Sequence, residues 1–328
     1  MVRITRAAAI AATTATAATT AWLATALAPA VAQAASAAPA VAYLRAGDIY
    51  VATGTNVRRL TTDGANTRPH WSPDGTRIAY LHAGAAWVMN ADGGGKQRVA
   101  PATGAPAWSP DGRWLAFVAP GCTGPTVFKV AATAPFGTPV PLVPADGCAD
   151  GPAAAARPPA SGPGLVNALR HDGAIAWSPD GTRIAFPGGD CAAVVDECLS
   201  VADLTTGRQG AVEVYGGGGD GSSGFAVVPA WRPDGARLAW TAYREGATAD
   251  ASEPVHVTES AATGTDRRTA GVPLDRELAY VDTGRAVLTA THNGGSWVTL
   301  VDLATGQRTY LRPGSQPSPR PVAGASRR

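Results

Sequence analysis

The chain is 328 residues long, 45% hydrophobic and 16% charged, with a formal net charge of +2. So small and scattered a charge excludes the clustered Lys/Arg excess of a nucleic-acid surface. Beyond the first 30 or so residues no run approaches the ~20 apolar residues that cross a bilayer.

The N-terminus reads as a secretory signal. Arg3 and Arg6 precede a mildly apolar Ala/Thr-rich run, and Ala32 and Ala34 stand at the small-residue positions of a cleavage site. Cleavage after Ala34 would leave 294 residues, with 25 basic against 25 acidic side chains. Unpaired arginines argue against a twin-arginine signal, and the want of a cysteine near the site argues against a lipoprotein. The protein is therefore expected outside the cytoplasm, secreted or at the cell envelope, with no membrane span in the mature chain. Four cysteines in an exported chain favour disulfides. The expected pairs are Cys191–Cys198, closing a short loop, and Cys122–Cys148.

In chain order, residues 41–62 ("VAYLRAGDIYVATGTNVRRLTT") give three strands with no opening turn. Residues 69–100 open on "PHWSPDGTRIAY", 106–144 on "PAWSPDGRWLAF", 173–216 on "GAIAWSPDGTRIAF" and 228–270 on "VPAWRPDGARLAW". In each, a short apolar strand ending in tryptophan runs into a tight turn. Pro presets φ, Asp bonds local backbone and Gly takes φ > 0, and a second strand then returns. A further hairpin follows, so the unit is a four-stranded antiparallel meander. Its markers are Trp71, Asp74 and Gly75; Trp108, Asp111 and Gly112; Trp177, Asp180 and Gly181; and Trp231, Asp234 and Gly235. Residues 278–312 hold a degenerate unit in which Tyr280, Gly284 and Val287 match Trp71, Gly75 and Ile78. Residues 315–324 can supply the strand missing from the first unit. Intervals of 37, 69 and 54 residues between the tryptophans describe a unit with Ala/Pro/Gly-rich insertions.

Six units over residues 35–328 allow about 49 residues each. The fold expected is all-β, a six-bladed β-propeller of four-stranded antiparallel blades, closed by strands shared between the N- and C-termini. Sharing a blade hides two sheet edges. The repeat is structural: a blade cannot bury both faces alone.

The four "W-[SR]-P-D-G-x-x-[IL]-A-[FYW]" copies, with "DIYV" at 48–51, resemble the WD-repeat-like units of TolB-type six-bladed propellers. The pattern is also similar to the propeller of prolyl oligopeptidase-type peptidases. The resemblance covers nearly all of the mature chain. It implies an exported protein that binds proteins or peptides at one face or through the channel. The N-terminal α/β domain of TolB is not expected here, nor a peptidase domain, since no G-x-S-x-G elbow occurs.

Each repeated Asp is expected to serve its own turn, and the tryptophans to pack blade on blade. "SPDGRW" at 109–114 resembles a sialidase Asp-box but lacks the residue needed between Asp and Gly. "DGSSG" at 220–224 lacks the ligand alternation of an EF-hand, and "GGGG" at 216–219 lacks the Lys-Ser/Thr of a P-loop. Loops before each first strand are the candidate binding residues, because loops from several blades can converge at a channel mouth. They are Arg68 and His70; Arg170, His171 and Asp172; and Asp275, Arg276 and Glu277. In the "RHD" segment a His beside an Asp could be tuned as an acid or base.

The reading is a monomeric, non-catalytic scaffold that recognises a protein or peptide. No cofactor is expected, and a metal in the channel is left open. The alternatives are a small-molecule hydrolase or lyase acting at the channel mouth, and a cell-wall carbohydrate-binding module.

Overall fold

The computed structural model describes residues 38–121, 125–143, 174–188, 196–216, 224–244 and 253–321. The signal segment, the Arg170-His171-Asp172 triplet, and Cys122, Cys148 and Cys191 lie outside them. No helix among the described residues is long and apolar enough to cross a membrane.

Six four-stranded antiparallel sheets form a ring. The first blade contains β1 (Val41–Arg45), β2 (Asp48–Thr53) and β3 (Asn56–Arg59). The second runs β4 (Asn66–Trp71), β5 (Arg77–His82), β6 (Ala85–Asn90) and β7 (Gln97–Pro101). The third runs β8 (Ala107–Trp108), β9 (Trp114–Pro120), β10 (Pro125–Ala131) and β11 (Val140–Val143). The fourth holds β12 (Ala176–Trp177), β13 (Arg183–Pro187), β14 (Asp196–Asp203) and β15 (Gln209–Gly216). The fifth holds β16 (Gly224–Trp231), β17 (Arg237–Arg244), β18 (Glu253–Ala261) and β19 (Arg268–Thr269). The sixth holds β20 (Arg276–Tyr280), β21 (Arg285–His292), β22 (Gly295–Asp302) and β23 (Arg308–Pro313). The last strand, β24 (Ser315–Pro319), pairs with β1 at Val41↔Pro319 and Ala42↔Ser318, so the C-terminal end completes the first blade.

The core lies between blades. Ala42, Ile49 and Leu60 of the first blade pack on Trp71, Ile78 and Tyr80 of the second. Val88 and Ala100 of the second meet Trp108, Leu115, Phe117 and Phe128 of the third. Val287 and Val298 of the sixth return to Val41 and Tyr43 of the first, so apolar contact runs round the ring. Both faces of a middle strand are covered, as the triple burial of Ile78, Ala79 and Tyr80 shows. At ~25 cal/mol per Å² of apolar surface, this blade-on-blade burial is the main stabilising term.

The three W-S-P-D-G turns build the same hydrogen bonds, while in the fifth blade Arg232 replaces the serine and donates to Asp234 instead. In the fourth blade Ser178 Oγ donates to Asp180 Oδ1 (2.5 Å) and accepts from Arg183 N–H (2.9 Å), while Asp180 Oδ1 accepts from Thr182 N–H (3.0 Å). Gly181 closes the turn at φ 73°, a conformation costly for any residue with a Cβ. Turns also touch: Pro73, Pro110 and Pro179 lie against Gly112, Gly181 and Gly235 of the next blade. The sixth blade departs from the expected spacing. Tyr280 pairs with Ala286, so its turn is one residue shorter, and Gly284 is not left-handed. Asp282 caps this turn by accepting from Gly284 N–H (2.9 Å) and Arg285 N–H (2.8 Å).

Candidate functional site

The innermost strands surround a central cavity of about 290 Å³. Their sequences superimpose on the tryptophan position: "RPHW" at 68–71, "APAW" at 105–108, "AIAW" at 174–177, "VPAW" at 228–231, "ELAY" at 277–280 and "QPSP" at 316–319. Two positions of this six-fold frame set the character of the channel wall.

One residue before the tryptophan position, the chain has His70, Ala107, Ala176, Ala230, Ala279 and Ser318. The match is real in the sheets, since each sits opposite an alanine or valine of its neighbour strand (His70↔Ala79, Ala230↔Ala239, Ala279↔Val287). His70 is therefore one large side chain among alanines and a serine. It is exposed to channel water although the strand ends around it are packed. Desolvation by the surrounding walls pulls its pKa down, to about 4. Access to channel water works against so large a shift.

Three residues before the tryptophan position the chain has Arg68, Ala105, Ala174, Val228, Glu277 and Gln316, all at the cavity wall. Arg68, Val228, Glu277 and Gln316 adopt φ of 52–60°, where a bulge shifts the register of the inner strand. Non-glycine residues there cost of order 1–3 kcal/mol each and persist only when their surroundings hold them. For Arg68, Glu277 and Gln316 the hold is a hydrogen-bond chain across four blades. Arg68 Nη1 lies 3.1 Å from Glu277 Oε1, and Arg68 N–H donates to Gln316 Oε1 (2.7 Å). Gln316 N–H donates to Glu277 Oε2 (2.8 Å), which also accepts from Thr289 Oγ1 (2.6 Å). Glu277 N–H in turn donates to Thr241 Oγ1 of the fifth blade (2.8 Å). Desolvation of Glu277 works to raise its pKa. The Arg68 guanidinium and the Thr289 and Gln316 donors outweigh it, so the carboxyl stays below its usual range.

The channel wall is thus two-sided. The sixth, first and second blades contribute Glu277, Gln316, Arg68 and His70. At the same level the third, fourth and fifth contribute Ala105, Ala174 and Val228.

Of the candidates read from the sequence, Arg68, His70 and Glu277 meet in this channel. Asp275 does not line it: Asp275 is buried and takes two hydrogen bonds from Arg308 (2.7 and 2.8 Å). Arg276 is likewise outside, donating to Ser296 Oγ (2.5 Å) and Leu274 O (3.2 Å). Arg170, His171 and Asp172 lie outside the described residues. Gln316 was not among the candidates. Aligning "QPSP" with "RPHW" is the signal that would have found it. Among the described residues no three His, Cys, Asp or Glu side chains converge as metal ligands.

The repeated tryptophans sit between blades. Trp108 Nε1 donates to His70 O and Trp231 Nε1 to Ala176 O, both at 3.1 Å. Arg320, Arg77 and Arg183 lie over Trp71, Trp108 and Trp231 at 5.1, 4.6 and 4.6 Å. The repeated aspartates stay in their turns, each binding its own backbone.

No family model and no curated protein matches the chain. Solved structures do. TolB from Acinetobacter baumannii aligns with a TM-score of 0.62 and 15% identity over 87% of this chain and 67% of that one. A putative TolB from Agrobacterium tumefaciens gives 0.56 and 16% over 84% and 90%. A chain of a nidogen/laminin complex gives 0.55 and 9% over 86% and 98%. Identities this low carry the fold alone, and that fold is a TolB-like six-bladed β-propeller.

Proposed function

We propose that the protein is exported and acts as a non-catalytic scaffold that takes a peptide or protein segment into its central channel. The observation that carries this is the two-sided wall: a hydrogen-bonded Arg68–Glu277–Gln316 set with His70 faces an apolar arc of Ala105, Ala174 and Val228. Such a wall suits a ligand with both backbone polar groups and apolar side chains. The likeness to TolB-like propellers and the signal-like N-terminus agree with an envelope or extracellular place.

The test is capture from envelope and secreted extract with residues 35–328, followed by titration of the captured partner as a synthetic segment. His70→Trp places an indole at the alanine level of the channel and serves as the blocked form. Its binding is expected to fall at least ~10-fold, about 1.4 kcal/mol, with thermal stability kept. Equal binding by both forms would remove the channel from the reading.

The cysteine pairing belongs to the same proposal. Cys198 is buried in β14 with Sγ 3.2 Å from Gly188 O. Non-reducing peptide mapping should link it to Cys191, and a Cys122–Cys191 peptide would refute that pairing.

A further inference from the structure

Four blades carry a tryptophan at the inner-strand position, and at three of these four junctions an arginine covers it. Where the first blade meets the second, Arg320 covers Trp71. Arg77 covers Trp108 at the next junction, and Arg183 covers Trp231 where the fourth meets the fifth. These tryptophans are buried, at 3, 3 and 8% exposure. Arg77 and Arg183 come six residues after their own blade's tryptophan, whereas Arg320 directly follows Pro319 of the closing strand; the guanidinium groups of Arg320 and Arg77 each find a carbonyl oxygen of the ring. Arg320 Nε donates to Gly75 O (2.9 Å) and Arg77 to Ala132 O.

Between the third and fourth blades the covering position is Trp114, not arginine. Lys129 is drawn to the Trp114 ring, its Nζ 4.9 Å from the centroid. Trp177 is left half-buried with no cation over it among the described residues, and its Nε1 has no hydrogen-bond partner. Trp71 also lacks a partner for Nε1 but lies under Arg320. Trp177 has neither.

At this place an open groove of about 610 Å³ runs between the two blades, with Trp114, Trp177, Asp111, Asp180 and Gly181 on its walls. Gly181 is the counterpart of Gly75, whose carbonyl holds the Arg320 cap. The Asp111 and Asp180 turns use Oδ1 for their own backbone, and Asp180 Oδ2 lies 4.0 Å from the Arg183 guanidinium.

We propose that this groove is a second binding site, separate from the channel, for a guanidinium group, the arginine side chain of a partner peptide or protein. The ligand's guanidinium would stack on Trp177, as the chain's own arginines stack on Trp71, Trp108 and Trp231, with Asp180 and Gly181 O accepting its N–H groups. A planar guanidinium pairs with both an aromatic face and a carboxylate, which an ammonium does less well. Lys129 forms part of the wall and opposes any cation, so Lys129→Met should tighten binding.

The test follows the indole N–H resonance of Trp177 in ¹⁵N-labelled residues 35–328, assigned by its loss in Trp177→Phe. The probes are N-acetyl-arginine amide, N-acetyl-lysine amide and methyl β-glucoside. The arginine probe should move the resonance saturably, and more strongly than the lysine probe. Trp114→Arg restores the repeat's own cap and should weaken that binding about tenfold, within the range of a desolvated cation–π contact. Asp180→Asn keeps the turn's Oδ1 acceptor but removes the charge, and should weaken it at least ~3-fold, near the lower end for a net hydrogen bond. Should Trp114→Arg not fold, Asp180→Asn carries the test alone. No response to the arginine probe would overturn the proposal, as would unchanged binding in Asp180→Asn. A response to the glucoside in its place would make the groove a sugar site and overturn it equally.

Discussion

Glu277 shows how a single residue joins stability to the channel. Its carboxylate is buried, bears a left-handed backbone and is shared by Arg68, Thr289 and Gln316. Glu277→Gln leaves the Arg68 charge without its partner. The expected loss is about 3 kcal/mol, the usual cost of breaking a buried pair from one side. The folded pKa lies below the unfolded value of 4.5. Its contribution is therefore present above pH 4.5 and disappears as pH falls through the folded value. Urea denaturation across this range should show a shallower acid slope in Glu277→Gln than in the parent.

The turn serine is a second residue-scale case. The Ser178 hydroxyl bond to Asp180, with help from Thr182 N–H, holds the Asp180 carboxyl below its usual pKa of 3.8. Ser178→Ala should raise the Asp180 pKa, visible by carboxyl-carbon NMR titration. It should also cost about 1 kcal/mol for the lost hydrogen bonds.

At the scale of elements, each blade stands on its neighbour. Trp108 belongs to the third blade by sequence, but it lies under Arg77 and donates to His70 O, both of the second. Trp108→Ala should cost about 3–5 kcal/mol, the usual range for a buried aromatic truncated to alanine, as measured by chemical denaturation. Strand β24 carries more than its five residues suggest. It pairs with β1, Ser318 Oγ accepts from Trp71 N–H (3.2 Å), and Gln316 closes the Arg68–Glu277 set. Ending the chain before Ser315 would expose the β1 edge and leave Glu277 short of a donor. Thermal melting should fall by about 10 °C or more, at a few degrees per kcal/mol for a chain of this size, with aggregation through the open edge.

For the whole molecule, the ring converts repetition into a channel in which the unrepeated residues stand out. Desolvation by the channel walls holds the folded His70 pKa below its unfolded value of 6.5. Protonation is thus easier in the unfolded chain, and folding stability falls as pH drops from about 6.5 toward 4. His70→Gln should flatten that part of the pH–stability profile while leaving the region above pH 7 unchanged, by thermal melts in matched buffers. A profile identical to the parent's would mean that channel water solvates the imidazolium as well as bulk water does.

The sequence by itself determined the blade. Four copies of one turn motif, where Pro, Asp and Gly each meet a local backbone demand, specify hairpins without reference to distant residues. The six-fold count, the sheet order and the closing of the ring by the C-terminal strand were all legible, because they follow from local periodicity and the need to cover both faces of each sheet. Arg68, His70 and Glu277 were legible as candidates from their place before the inner strands. Asp275 and Arg276, two residues and one residue before Glu277, were not separable from it, because only the bulge turns Glu277 into the channel while Asp275 turns back to Arg308. Gln316 and the uncovered Trp177 needed the tertiary structure. Gln316 meets Arg68 from 248 residues away, and the missing cap on Trp177 is defined by a neighbouring blade's side chain. Local patterns encode strands and turns through short-range backbone energetics. Which odd residue of one repeat faces which odd residue of another is decided only when the ring closes.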